Sequence, residues 1–182
     1  VVIIAGGPGQ SMLDSYPMLH PALNDVRRNR NILLMDARGT GASHLLQCDE
    51  IVSLGENADD SDDPAKLRVL TERCRDRLAK TSDLRFYATA GHIRDLALLR
   101  ATLGVDRLNL AGISYGTRVA QQYAKRYPAH TRTVTIDGIA PNTLILGNEH
   151  AKNLESSLDR QFERCASDKP CPETLGEPPH NL

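Results

Sequence analysis

The chain lacks a surplus of charge of either sign, a long apolar run and an initiator Met. It carries 22 basic and 23 acidic residues, a formal net charge of -1, so nothing favours nucleic acid or an anionic membrane as a partner. No apolar run approaches the roughly 20 residues that a membrane-spanning helix needs. The first residues, VVIIAGGPG, include neither an initiator Met nor a basic segment with a cleavage site. Because the chain starts on what reads as a buried strand, we expect further residues upstream.

Metal-binding spacings are also missing. The four cysteines, Cys48, Cys74, Cys165 and Cys171, form no CxxC motif, and none lies near a histidine at zinc-ligand spacing. We therefore expect no metal. Two local pairs, Cys48 with Cys74 and Cys165 with Cys171, are instead typical of two disulfides in a secreted or periplasmic protein. The alternative is four free buried thiols in a cytoplasmic protein.

What is present is the composition of a soluble globular protein, with 40% apolar and 25% charged residues, and length for one domain with a sizeable core. Short β-branched or apolar runs predict strands at Val1–Ala5, Asn31–Asp36, Arg107–Ile113 and Thr131–Asp137. Segments with helical periodicity alternate with them. This alternation predicts an α/β fold with a mostly parallel sheet.

Helix boundaries can be read from capping residues. Asp63 is the expected N-cap of a helix that starts at Pro64, and Cys74 lies on its apolar face, pointing inward. Thr89 is the expected cap of the next helix, which ends at Gly104. A third helix is expected to begin at Tyr115 and to stop at Pro128.

The sequence GISYG places Ser114 between Gly112 and Gly116, directly after a strand and directly before a helix. This is the context of a nucleophile turn, in which small residues let neighbouring backbone approach and the serine adopts strained dihedral angles. The helix N-terminus points its dipole and free N–H groups at the same spot. The alternative is that Ser114 only caps the helix.

A glycine-rich turn, GGPGQS, follows the first strand. A dinucleotide-binding loop needs a third glycine that opens a helix, and here Gly9 is followed by Gln10, Ser11 and Met12. Pro8 also removes one N–H from any phosphate cradle, so no nucleotide cofactor is expected. We interpret the turn as an oxyanion loop in which Gly7 donates its backbone N–H, with the N–H of Tyr115 as its partner. A plain turn is the alternative.

A second glycine-rich loop, DARGTGAS, ends the second strand. An Asp and an Arg in such a loop most often brace each other and neighbouring backbone. We therefore interpret Asp36 and Arg38 as structural support for the site, like Gly112 and Gly116.

Four motifs, GGPGQS, MDARGTGAS, GISYGTRVA and TVTIDGIAP, occur in an order and spacing that resemble the α/β-hydrolase fold. The closest resemblance is to the proline iminopeptidase and tripeptidyl aminopeptidase group of secreted serine peptidases, whose secreted members also carry a pair like Cys48 and Cys74. The resemblance extends to about Asn142. One departure is Ala5, where the group often has His before the glycines.

The resemblance implies a partial, incomplete α/β-hydrolase core at residues 1–140, with helices on both faces of its sheet and about four core strands. Residues 141–182 then start a lid. It also implies a Ser–Asp–His triad of which only Ser114 is present, the remainder of the hydrolase domain lying outside the chain. Asp137, His150 and His180 follow in an allowed order, but a structural Asp and exposed histidines are the simpler interpretation. The other histidines, at positions 20, 44, 92 and 130, are not candidates either.

Three functions remain open on this basis. The first is a serine aminopeptidase, which cleaves peptide bonds near substrate N-termini through an acyl-enzyme on Ser114. The second is an esterase on the same fold, and the third is a catalytically silent protein that only binds. In the first two, the partner is a peptide or a small ester.

Overall fold

The structure is a computed structural model that describes residues 1–49, 63–145, 147–168, 170 and 171. It divides into two compact units, Val1–Asn142 and Thr143–Leu182. This division falls two residues after the boundary expected from the sequence. The acidic run between Glu50 and Asp62 lies outside the described residues, as does His180.

The first unit is built on a parallel sheet of four strands in the order β2-β1-β3-β4. The strands are β1 (Val2–Ile4), β2 (Leu33–Leu34), β3 (Leu108–Ile113) and β4 (Thr131–Asp137). The predicted parallel α/β architecture is therefore confirmed. The second strand is shorter than the six residues expected, because only Leu33 and Leu34 pair with β1.

Helices connect the strands. In chain order the described α-helices of the first unit are α1 (Met12–Leu19), α2 (Asn24–Arg27), α3 (Pro64–Leu78), α4 (Thr89–Thr102) and α5 (Tyr115–Arg126). The second unit contains α6 (His150–Ser167). No helix in the described part of the chain has the length and apolar character that crossing a bilayer would require.

The main hydrophobic cluster lies on one face of the sheet. Alternate residues of β1 and β3 point to this face, and α4 and α5 cover them. The buried cluster consists of Val2, Ile4, Leu108 and Leu110 from the strands, Ile93 and Leu96 from α4, and Val119, Ala120 and Tyr123 from α5. Burying an aliphatic side chain of this size stabilises a fold by about 1.5–3 kcal/mol, so this cluster holds the two helices against the sheet.

Most predicted helix boundaries agree with the structure. Asp63 accepts hydrogen bonds from the N–H groups of Ala65 and Lys66 at the start of α3. Gly104, with φ of 64°, follows the end of α4. Thr89 was expected to cap α4, and this is wrong: Ala88 holds the cap position without a side-chain bond. The Thr89 hydroxyl lies instead 2.5 Å from the Tyr115 hydroxyl.

Both cysteine pairs form disulfides. Cys48 is joined to Cys74, which is buried on α3 as its helical phase predicted. Cys165 is joined to Cys171 at the end of α6. There is no free cysteine in the described chain.

The strand order places two loops side by side. β1 lies between β2 and β3. The chain therefore passes from β1 to the neighbouring strand on one side, β2, and then crosses over to the neighbouring strand on the other side, β3. At such a switch point the loops after neighbouring strands diverge and leave a crevice outside their carboxyl ends. Here those loops are GGPGQS, after β1, and the Ser114 turn, after β3.

Candidate active site

Ser114 occupies the turn between β3 and α5 in a strained conformation, with φ of 53° and ψ of -119°. A residue other than glycine held in such a region costs about 1–3 kcal/mol, and it persists only where its surroundings hold it in place. Two backbone bonds do so here. The Ser114 N–H donates to the Asp137 carbonyl at 2.8 Å, and the Ser114 carbonyl accepts from the Thr117 N–H at 3.0 Å.

The Ser114 hydroxyl does not cap the helix. Ser114 stands at the N-cap position of α5, but its side chain makes no capping hydrogen bond there. The interpretation of Ser114 as a mere helix cap is therefore wrong. The side chain is left at the N-terminus of α5, where the helix dipole stabilises negative charge.

Glycines make this turn possible through close backbone contacts. A Cβ added to Gly116 would lie 2.2 Å from the Ile4 carbonyl oxygen, and one added to Gly112 would lie 2.4 Å from the Gly116 carbonyl oxygen. Both distances are far below van der Waals contact. Gly112 and Gly116 thus let α5 begin directly against the ends of β1 and β3.

The glycine loop after β1 approaches the serine from the other side. A Cβ on Gly6 would lie 3.1 Å from the Ser114 Cβ, and Gly7 and Gly9 have φ of 95° and 105°, which glycine adopts readily. The Gly6 carbonyl and the Gly7 N–H belong to one planar peptide unit. Close approach of Gly6 therefore brings the Gly7 amide into the neighbourhood of Ser114.

Asp36 joins the two glycine-rich loops. Its side chain is 5% exposed and accepts hydrogen bonds from the Met12 N–H at 2.7 Å and from the Leu13 N–H and the Ala42 N–H at 3.2 Å. The Ser11 hydroxyl donates to the same carboxylate at 3.0 Å. Asp36 thus accepts the free N–H groups at the start of α1 and holds the loop after β1 against the loop after β2.

Arg38 forms a bidentate ion pair with Asp95 of α4. The Arg38 Nε donates to Asp95 Oδ2 at 2.8 Å, and its Nη2 donates to Oδ1. The hydrogen bond to Asp95 raises the pKa of the Arg38 guanidinium above its ordinary value. Arg38 therefore links the loop after β2 to α4.

A cavity of about 250 Å³ opens beside these loops. Its lining comes from the glycine loop, the loop after β2, the start of α4 and Tyr115: Pro8, Gly9, Ala37, Arg38, Gly39, Thr40, Leu46, Tyr87, Ala88, Thr89, His92 and Tyr115. His92 is half-buried in this wall, and burial lowers the pKa of its imidazole although Asp95 acts in the opposite sense. Burial thus favours the neutral form of the imidazole.

The structure does not assemble a triad from the histidines of the first unit. His44 lies 3.3 Å from the Ser82 hydroxyl, and His130 lies 3.2 Å from the Asp106 carbonyl. Among the described residues of the first unit, no histidine side chain forms a hydrogen bond with Ser114. Asp137 contacts Ser114 through its backbone carbonyl.

Three residues of the site and its supporting loops were not singled out from the sequence. Gly6 faces Ser114 more closely than Gly7 does. Ser11 binds Asp36, and Thr117, which is completely buried, donates its hydroxyl to the Ser114 carbonyl at 2.6 Å. Gly6 belongs to a motif that was recognised, but no local pattern identifies the distant partners of Ser11 and Thr117. Within the described ranges, no group of three metal-ligating side chains occurs.

A parallel sheet whose central strand ends in a strained serine, opposite a glycine loop, defines a hydrolase of the α/β class. The chain belongs to the alpha/beta hydrolase fold family, whose sequence profile matches residues 1–172. A solved alpha/beta hydrolase, MGS-M2 from a Medee basin deep-sea metagenome library, superimposes with a TM-score of 0.50 at 16% identity, covering 90% of this chain and 43% of that one. This likeness concerns the fold.

Curated relatives include peptidases, as the sequence resemblance implied. The chain is 28% identical over 202 residues to serine protease Hip1 of Mycobacterium tuberculosis, covering 98% of this chain and 37% of Hip1. It is 30% identical over 148 residues to tripeptidyl aminopeptidase of Streptomyces coelicolor, covering 74% of this chain and 27% of that protein. The chain thus spans about a third of the length of the curated relatives it matches.

Proposed function

We propose that Ser114 is the nucleophile of a serine hydrolase that cleaves peptide bonds near substrate N-termini. The observation that carries the proposal is the Ser114 turn itself, with φ of 53° and a hydroxyl that caps nothing. The peptidase names of the two relatives above support a peptide as the substrate. A second observation that supports the proposal is the close approach of Gly6 to the Ser114 side chain.

In the proposed reaction, the Ser114 Oγ attacks the carbonyl carbon of the scissile amide while a histidine base takes the hydroxyl proton. The N–H groups of Gly7 and Tyr115 donate to the oxyanion of the tetrahedral intermediate. The amine then leaves with the proton from the histidine, and water hydrolyses the acyl-enzyme by the same steps. An oxyanion donor of this kind is worth about 2.7–4 kcal/mol in the transition state.

The histidine and the aspartate of this triad belong, in our proposal, to residues outside 1–182. No described histidine of the first unit forms a hydrogen bond with Ser114, and the relatives extend well beyond the matched span. A peptide comprising residues 1–182 alone is then expected to be inactive or nearly so, because a serine without its base is a weak nucleophile.

A fluorophosphonate probe tests the nucleophile in the protein as the cell produces it. The probe is expected to label Ser114, to lose its target in Ser114→Ala and to keep it in Ser157→Ala, which removes an exposed hydroxyl of α6. Labelling that persists in Ser114→Ala, or that never occurs, would contradict the proposal and favour a silent binding protein.

Substrate rates then separate peptidase from esterase. We expect the unaltered protein to hydrolyse tripeptidyl- or aminoacyl-anilides with a kcat/KM comparable to its kcat/KM for p-nitrophenyl esters. In Ser114→Ala we expect hydrolysis of the anilides to be abolished. Hydrolysis of the esters alone would reject the peptidase and leave an esterase with the same nucleophile.

We also propose that the protein works in an oxidising compartment outside the cytoplasm. Both disulfides form in the structure, and such bonds persist where thiols are not kept reduced. The thiol content of the protein isolated from cells tests this point.

A further inference from the structure

We propose that Thr117 is a positioning residue that aims and strengthens the Tyr115 N–H as an oxyanion donor. This inference rests on the proposed function, because it concerns how that donor is held. It starts from a hydroxyl group that is completely buried, one turn along α5 from the nucleophile.

Both hydrogen-bonding functions of the Thr117 hydroxyl are used. It donates to the Ser114 carbonyl oxygen at 2.6 Å and accepts from the Ala140 N–H at 2.8 Å. The Thr117 N–H donates to the same Ser114 oxygen at 3.0 Å. The hydroxyl therefore bridges the nucleophile turn and the loop after β4, whose Ala140 is itself buried.

The Ser114 carbonyl is the other end of the proposed oxyanion donor. Ser114 C=O and Tyr115 N–H form one peptide unit, which is planar and trans, so the two bonds point in opposite directions. Fixing the carbonyl oxygen therefore fixes the direction in which the Tyr115 N–H points. The Thr117 hydroxyl does this from the far side of the peptide, away from the reacting carbonyl.

The same bond also changes the strength of the donor. A hydrogen bond accepted by an amide oxygen polarises the amide and makes its N–H a better donor, since hydrogen bonds in a chain reinforce one another. The chain here runs from the Ala140 N–H through the Thr117 hydroxyl to the Ser114 carbonyl and on to the Tyr115 N–H. It ends where negative charge develops in the transition state.

This role predicts a loss in the transition state and none in substrate binding. In Thr117→Val, kcat is expected to fall by about tenfold, less than the 10²–10³-fold loss typical of removing an oxyanion donor outright, while KM stays unchanged. A trifluoromethyl ketone, which forms a tetrahedral oxyanion on the serine, is expected to bind less tightly by the same factor. Thr117→Ser, which keeps the hydroxyl, is expected to restore both values.

The matched control is Thr131→Val. Thr131 donates its hydroxyl to a backbone carbonyl, that of Tyr127, at 2.9 Å, and it begins β4 at the end of the sheet opposite Ser114. It is expected to leave kcat and inhibitor affinity unchanged. Should Thr117→Val fail to fold, as far-UV circular dichroism would show, Thr117→Ala removes the hydroxyl while leaving room for water at the Ala140 N–H.

The outcomes separate this inference from the proposed function. If the probe never labels Ser114, both are wrong. If the probe labels Ser114 but the hydroxyl-free variants keep the original kcat, only the positioning role is overturned. The same holds if these variants lose affinity for substrate and inhibitor alike and Thr117→Ser does not restore it.

Discussion

At the scale of single residues, the site depends on positions that have no room for a side chain and on one position where the backbone is strained. Gly116 has backbone of the neighbouring strand where its side chain would be. Ser114 has a side chain but adopts φ of 53°. The missing Cβ of Gly116 and the strained backbone of Ser114 have a common cause. Both are required because α5 starts directly at the end of a central strand.

Gly116→Ala tests this contact. The new methyl group would meet the Ile4 and Ala5 carbonyl oxygens at 2.2 and 2.7 Å. Because these are backbone atoms at the end of β1 and directly after it, they cannot move aside as a flexible side chain would. We expect the free energy of unfolding to fall by about 3 kcal/mol, the upper end of the typical range for overpacking, and probe labelling of Ser114 to be lost. Urea unfolding measures the first effect.

Gly104→Ala is the matched control. Nothing lies within 4 Å of a Cβ at this position, although φ is 64°. It carries only the conformational cost of a left-handed residue, about 1–2 kcal/mol. Equal losses in the two glycine variants would show that the close approach of Ile4 to Gly116 does not exist.

At the scale of elements, the loop after β1 and the loop after β2 are joined by one carboxylate, that of Asp36. Asp36 follows β2 but accepts hydrogen bonds from the start of α1, which follows β1. It also accepts from Ala42 within its own loop. Three backbone N–H groups therefore depend on one buried side chain.

Asp36→Asn is expected to loosen all of them. The amide keeps the size of the carboxylate but presents N–H groups to donors, so at least one buried N–H loses its acceptor. Since a hydrogen bond to a charged group is worth about 1.5–3 kcal/mol, we expect the free energy of unfolding to fall by about 2–3 kcal/mol. We expect kcat to fall as well, because the glycine loop is less firmly held.

Asp106→Asn provides the comparison, since Asp106 is exposed and its ion pair with Arg107 lies on the surface. A change within about 0.5 kcal/mol is expected there. An Asp36→Asn protein as stable and as active as the Asp106→Asn protein would show that the carboxylate does not organise the loops.

At the scale of the whole molecule, the disulfides act within separate units. Cys48–Cys74 closes a separation of 26 residues in the first unit, and Cys165–Cys171 closes one of 6 residues in the second. On the chain-entropy account a bridge stabilises mainly by restricting the unfolded chain, and longer loops give larger effects.

The double variant Cys48→Ala with Cys74→Ala is therefore expected to lose about 3–4 kcal/mol of unfolding free energy, and Cys165→Ala with Cys171→Ala about 2 kcal/mol. Denaturant unfolding measures both. Mass spectrometry after alkylation without reductant is expected to find none of these four thiols free in protein isolated from cells. Four free thiols would contradict export, and an unchanged stability in the first variant would contradict the bridge.

The sequence by itself determined the fold class, the positions of the strands and the place of the Ser114 turn. These follow from patterns between near neighbours in the chain: the β-branched run of β1, the glycines around Ser114, and Asp63 before Pro64. Such patterns act locally, because dihedral preferences, helix capping and the alternation of side chains depend on residues a few positions apart.

Only the tertiary structure decided which residues meet. Ser11 with Asp36, Arg38 with Asp95 and Thr117 with Ala140 are pairs separated by 25, 57 and 23 residues. The same is true of Thr89, whose local signal indicated a helix cap while its hydroxyl lies against the Tyr115 hydroxyl. A buried hydroxyl or carboxylate needs a hydrogen-bond partner. Which residue becomes that partner depends on which strands are neighbours in the sheet, and the strand order is determined by burial of the whole core.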